Sequence, residues 1–305
     1  MAGGLAGGIR CARSEADRAL SLPSFTLLGQ SVLSGVFIGA LYGLLGLGLT
    51  LSWGLLRQIN LAHFALVFLG AYGTYQLTVS AGIDPLLTLV AVAPAFFVFG
   101  VALHWLLARF SVTPLNTLLV TFGFMVMIES LIQWIWTADF RRMETPYGDV
   151  RWKIGGLYLP LPEVLTLLIA ITLAFAVWAV LRHTDLGKAM RAAAEDAPVA
   201  AAFGVNEKVL ALLLSGLCAA FAAVAGTCLA LSHTLAPGQI YAWIGVVFAV
   251  VMIGGLGNPL GPLVAGVIVG VSEALTMAIT APAWAPLVSF TLLIAILLIR
   301  PGRFE

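Results

Sequence analysis

The stretch "RQINLAHFALVFLGAY", residues 57–72, decides how the chain is read. Residues 19–56 before it carry no Asp, Glu, Lys or Arg, and neither do residues 58–83. Arg57, Gln58, Asn60 and His63 therefore form a polar cluster between two apolar runs, each longer than the about 20 residues a helix needs to cross a bilayer. Two readings are open. The cluster is a short link between two spans. Alternatively it marks a helix broken inside the protein, with Asn60 and His63 satisfying backbone groups that lipid cannot.

Further runs free of charge cover residues 85–108, 110–128, 164–181, 209–272 and 274–299. Only 10% of residues are charged and 61% are hydrophobic. A water-facing domain is nearer a quarter charged, so the polar surface is too small to cover a soluble globule. The chain reads as an all-α polytopic membrane protein with about 8–10 transmembrane helices, some broken or short. A transmembrane β-barrel would alternate over short segments instead. Expected spans are 31–54, 61–82, 86–109, 115–137, 162–181, 209–232, 241–255, 260–280 and 285–299.

Residues 1–27 contain three arginines and no continuous apolar core ahead of a cleavage site, so they read as a flexible tail and not as a signal peptide. Residues 28–305 form the transmembrane domain. Two hydrophilic loops interrupt it. Residues 138–159 mix charge signs with Pro146, Gly148 and Gly155 and read as an irregular cap. Residues 182–208 are Ala-rich and read as two short helices meeting near Asp196. Gly204 is placed to end the second, and Asn206 to start the next span. Placing 182–208 and the C-terminal "RPGRFE" in the cytoplasm calls for an odd number of crossings, nine, with the N-terminus outside.

The net charge of +1 gives no electrostatic footprint for a nucleic acid. Three cysteines are present, Cys11, Cys218 and Cys228. The last two are ten apart on one expected helix, about 15 Å, too far to bridge each other. His63, His104, His183 and His233 show no metal-ligand spacing, and no metal or cofactor is expected. No Walker A sequence and no Gly-x-Ser-x-Gly elbow occur, so no catalytic residue is assigned and the chain is not read as an enzyme. His104, beside Trp105 and near Arg109, reads as an anchor at the membrane interface.

Glycines recur at three- and four-residue spacing: Gly35, Gly39, Gly43 and Gly46, later Gly266 and Gly270. Such spacing lets helices approach closely in lipid. In "GGLGNPLGP", residues 254–262, Gly254, Gly255, Gly257 and Gly261 accompany two prolines, and a helix cannot continue through them. The segment is a tight turn or a broken helix, and the turn is the simpler reading. A short echo links "QINLAHFALVF" (58–68) with "QIYAWIGVVF" (239–248). Transporters built from two repeats carry interrupted segments at corresponding places beside the substrate path. Glu129 and Glu273 fall within spans, where a charge is costly. Both read first as buried hydrogen-bonding groups, and as proton or substrate groups second.

In order along the chain, "GALYGLLGLGLTLSWGLLRQINLAHFALVFLGAY" (39–72), "LGKAMRAAAEDAPVAAAFGVN" (186–206), "FAVVMIGGLGNPLGPLVAGVIVGVSEAL" (248–275) and "LLIRPGRF" (297–304) resemble the permease subunits of branched-chain amino acid ABC transporters. The resemblance covers most of residues 31–304. The chain departs from the family's usual Asn-Phe-Ala-His-Gly-Glu-Phe at Asn60-Leu-Ala-His63-Phe-Ala-Leu.

The resemblance implies a type II ABC importer fold in a bacterial inner membrane. It implies a second permease subunit, two cytoplasmic ATPase subunits and a periplasmic or extracellular substrate-binding protein that delivers a hydrophobic amino acid or small amide. It also implies that 182–208 is the coupling loop, with Arg191, Glu195, Asp196, Ala201 and Gly204 meeting the ATPase. Asn60, His63 and the glycines of 254–261 would lie near the path. The rival is a stand-alone channel or a proton-coupled secondary transporter, for which Glu129 or Glu273 would be essential.

Overall fold

The computed structural model describes residues 25–110, 114–148, 150–280 and 284–299. The expected tail, Cys11 and "RPGRFE" lie outside them, apart from residues 25–27, which open the first helix. That helix, α1 (Phe25–Leu56), is followed by α2 (Ala62–Ala81), α3 (Pro85–Phe110) and α4 (Pro114–Trp136). A hairpin, β1 (Arg151–Ile154) and β2 (Leu157–Pro160), leads to α5 (Leu161–His183). Two short helices come next, α6 (Asp185–Glu195) and α7 (Ala197–Ala202). The chain closes with α8 (Glu207–Ser232), α9 (Ile240–Gly254), α10 (Gly261–Ile279) and α11 (Ala285–Ile299).

Eight helices among the described residues are long and apolar enough to cross a membrane, and α11 supplies a shorter ninth. Residues 138–159 are not wholly irregular. Gly155 and Gly156 have φ of +57° and +90° and close a two-residue turn between antiparallel strands pairing Arg151 with Pro160 and Ile154 with Leu157. Such a turn needs positive φ at both central positions, which glycine supplies without a Cβ clash. The hairpin lies at one face of the helix bundle and α6–α7 at the other.

α1 is the most enclosed helix, because its glycine row lets α10 come against it. A Cβ on Gly35, Gly39 or Gly43 would meet the backbone of Val271, Gly266 or Leu263. The pairing is antiparallel and held by close van der Waals contact, the force available between helices in lipid. The core around it contains Leu41, Leu44, Phe64, Phe68 and Tyr72.

Packing relates α1–α4 to α8–α11. α1 packs most extensively on α10, and α3 does so on α8. α2 lies against α3, α4 and α8; α9 lies against α10, α11 and α1. α2 starts at the α6–α7 face, where Arg57 donates through Nη2 to the Ala194 carbonyl at 2.9 Å. α9 starts at the hairpin face, just after Leu235 pairs with Arg141. The two segments opening on Gln58-Ile59 and Gln239-Ile240 thus run in opposite directions, as in an inverted repeat. Phe64 and Phe248, one from each, stack at 5.9 Å between centroids.

Candidate functional site

At the α6–α7 face the chain leaves α1 through Arg57, whose φ of +53° is uncommon for a residue with a side chain. Residues 57–60 are non-helical and α2 begins at Ala62, so this cluster is a turn between two spans. Its free backbone groups are met by side chains. Ser52 Oγ donates to the Gln58 carbonyl at 3.4 Å, and Thr121 Oγ1 accepts from the Leu61 amide at 3.2 Å. His63 is buried with Nε2 at 3.1 Å from the Leu45 carbonyl. The Asn60 Oδ1 atom is buried without a hydrogen-bond partner.

Beside this turn lies a cavity of about 470 Å³, bounded by Leu56, Gln58, His104, Met190, Asp196 and Leu214. A narrower polar pocket sharing Leu56, Gln58 and His104 continues inward to Asn60, His63 and Cys218. His104 makes a contact across the bundle, with Ser215 Oγ 2.9 Å from its Nδ1. Trp105 holds the outward position instead, exposed and beneath the Arg109 guanidinium at 5.9 Å. Cys218 and Cys228 are buried free thiols.

The two-helix unit 185–202 is built by its caps. Thr184 Oγ1 accepts from the Gly187 amide at 3.1 Å, and Asp196 Oδ1 accepts from the Val199 amide at 3.1 Å. Each cap satisfies an amide that a helix start leaves free. Asp185, in the first turn of α6, is hydrogen-bonded by the Lys188 ammonium at 2.9 Å, which holds its carboxyl below the usual range. Both are exposed, so the pair adds little stability.

Met190 anchors α6 among Leu47, Leu51 and Leu214. Arg191, Glu195, Asp196 and Ala201 are exposed, as are the apolar Val199 and Phe203. Gly204 has φ of +88° with open space where a Cβ would be. Asn206 Oδ1 then caps α8 through the Val209 amide at 3.2 Å.

Residues 254–261 form the turn between α9 and α10, docked against α1. Thr50 Oγ1 donates to the Gly255 carbonyl at 3.1 Å, and the Gly257 amide donates to the Thr50 carbonyl at 3.2 Å. Gly255 and Gly257 have φ of +88° and +76°. Gly254 and Gly261 abut so closely that a Cβ on either would overlap the other's backbone. Gly257 also packs against the backbone of Gly54, two residues before the end of α1.

The two carboxylates have different surroundings. Glu129, nearly buried on α4, accepts from Tyr241 Oη at 2.6 Å and from Gln133 Nε2 at 3.2 Å. Glu273, on α10, accepts from Tyr42 Oη at 2.8 Å through one oxygen and from the Ser289 hydroxyl through the other. Glu273 also bounds a second cavity, of about 560 Å³, toward the hairpin face with Tyr42, His233 and Trp243. The sequence reading set Asn60, His63 and the 254–261 glycines together near one path, and the structure places them apart. Asn60 and His63 lie beside one cavity, Glu273 beside the other, and the 254–261 glycines beside neither. Among the described residues no group of His, Cys, Asp and Glu is placed to hold a metal ion.

Residues 31–297 match the family described as branched-chain amino acid transport system / permease component. The chain is 27% identical over 293 residues to the high-affinity branched-chain amino acid transport system permease protein LivH of Salmonella typhimurium, covering 89% of this chain and 93% of that one. It is 25% identical over 292 residues to BraD of Pseudomonas aeruginosa, described in the same words, with 89% and 94% covered. A probable branched-chain amino acid transport permease protein LivH of Methanocaldococcus jannaschii is 29% identical over 301 residues, with 90% and 92% covered. No solved structure matches the chain. With its membrane-spanning bundle and most of its length inside the family match, this multi-pass membrane protein belongs to the family of permease components of branched-chain amino acid transport systems.

Proposed function

We propose that the chain pairs with a second permease subunit to form the path of an ABC importer for branched-chain or other hydrophobic amino acids, or small amides. Two separate ATPase subunits drive it from the cytoplasm, and a binding protein delivers the solute from outside. The transmembrane domain includes α1 from Phe25 onward, and it sits in a bacterial inner membrane.

The observation that carries this reading is the α6–α7 unit. It is a capped knob outside the apolar bundle, presenting Val199, Ala201 and Phe203 beside Arg191, Glu195 and Asp196. A short helix with an apolar tip fits a groove on a partner. The knob is also fixed to the bundle, through Met190 and through the Arg57 bond to Ala194. Motion of a docked ATPase would reach α1 and the 57–63 turn directly. Asn60, His63 and the 254–261 turn lie at this end and are assigned to the inner end of the path.

A second reading, a proton-coupled carrier working alone, would use Glu129 or Glu273. Family membership favours the ATP-driven assembly. The test is purification of the tagged chain from native membranes with mass-spectrometric identification of its companions. A Walker A-bearing ATPase and a second permease in stoichiometric amounts support the reading. A chain recovered only with itself contradicts it.

A further inference from the structure

The cavity bounded by Tyr42, His233, Trp243 and Glu273 has the makings of a ligand site, and neither the family match nor the knob accounts for it. Its volume, about 560 Å³, lies within the range of small-molecule sites. It occupies the half of the bundle toward the hairpin face. Trp243 packs edge-on against both Tyr42 and His233, with centroids 5.8 and 5.6 Å apart, and makes an aromatic wall. Val246 and Met277 add aliphatic surface.

Two polar features point to an occupant. Each oxygen of Glu273 accepts one hydroxyl, from Tyr42 or Ser289, and each retains a free lone pair. The Nδ1 atom of His233 is buried without a partner, an arrangement that costs about 1–3 kcal/mol unless something bonds to it. His233 also bounds an adjoining cavity of about 200 Å³, which carries Glu163. Neither cavity is lined by Lys or Arg among the described residues. Carboxylates and aromatic rings without cations suit an ammonium group.

We propose that this cavity is an intramembrane station that holds the ammonium end of an aliphatic amino acid, with Glu273 as its counter-charge; this rests on the amino acid reading above. The aliphatic body lies against Trp243, Val246 and Met277. The solute's carboxylate faces the outer end, where His233, Thr234 and Gln239 offer hydrogen-bonding groups.

The test uses the full chain in lipid nanodiscs with Ala242→Cys, a small change on the cavity wall, and Cys11→Ser to remove a background thiol. The labelling rate by a water-soluble maleimide is read with and without L-leucine, isopentylamine or 4-methylpentanoate. The proposal expects leucine and isopentylamine to slow labelling at least fivefold and 4-methylpentanoate to leave it unchanged. Adding Glu273→Gln should abolish protection while the introduced thiol still labels and the buried Cys218 and Cys228 stay unlabelled, which shows the chain still folded around the cavity.

Protection by 4-methylpentanoate as strong as by the amine, or protection that survives Glu273→Gln, overturns the assignment. So does a lack of protection by every solute. Labelling blocked only when the second permease is present would make this face a subunit contact, and overturns it too. Leucine uptake by the whole importer is measured in parallel. Uptake without protection sinks the station alone, whereas no uptake of any aliphatic amino acid sinks the substrate reading.

Discussion

Gly39 of α1 and Gly266 of α10 are so close that a Cβ on either would overlap the carbonyl oxygen of the other. This contact sets the spacing of the two helices that pack most extensively in the bundle. Gly39→Ala is therefore expected to push backbone from backbone, which side-chain rotation cannot relieve. Overpacking of this kind costs about 1–3 kcal/mol or more. Gly73, in α2, has open space where its Cβ would be. Gly73→Ala removes a weak helix former and should be neutral, or stabilising by up to about 1 kcal/mol. Thermal unfolding of the two detergent-purified variants checks the contrast, with only the first losing stability.

Arg57 joins the knob to the end of α1 in a backbone conformation that costs about 1 kcal/mol or more for a residue with a side chain. Arg57→Gly relieves that cost and removes the bond to Ala194. The variant should reach wild-type membrane levels but lose several-fold in solute uptake per ATP hydrolysed. The readout is ATPase rate against uptake in the reconstituted assembly. An unchanged ratio would remove Arg57 from the coupling route.

Glu129 holds Tyr241 and Gln133. Glu129→Gln keeps an acceptor for the tyrosine and should retain most transport. Glu129→Leu leaves Tyr241 and Gln133, both on the outer surface of the bundle, without their acceptor, at about 1–3 kcal/mol where lipid offers no other, and should lower the amount of folded chain. Size-exclusion profiles and uptake of both variants decide it. A well-folded Gln variant without transport would give Glu129 a proton or solute role.

How much of this was legible in the sequence differs by feature. The nine apolar helices among the described residues were, because an apolar run of span length has few other fates. The α1–α10 glycine contact was foreshadowed by the four-residue spacing of Gly35, Gly39 and Gly43. Interruptions at 57–61 and 254–261 were legible from the polar and Gly-Pro residues, but at the first the choice between a turn and a broken helix stayed open, and at the second the turn was the simpler reading. The hairpin at 151–160 was missed, although Gly155-Gly156 between "RWKI" and "LYLP" is a two-residue turn signal. The His104–Ser215 contact and the Tyr42–Trp243–Glu273 cavity could not be read. They join positions more than a hundred residues apart, and no local pattern encodes which helix faces which.

The knob itself is tested by two changes outside the bilayer. Gly204→Val places a branched side chain at φ +88° and costs about 1–2 kcal/mol. Ala201→Arg puts a bulky charge on the exposed tip. Both should insert normally into the membrane, retain less ATPase on co-purification and transport little. Full ATPase retention with normal transport would detach 182–208 from coupling.

The central claim, that this chain conducts an aliphatic amino acid only within an ATP-driven assembly, is tested most directly by uptake into proteoliposomes. These contain the chain alone, or the chain with its second permease, ATPases and binding protein. Concentrative, ATP-dependent uptake of leucine or a similar solute is expected from the full assembly alone. Accumulation by the isolated chain under a proton gradient, with no gain from ATP or partners, would contradict it.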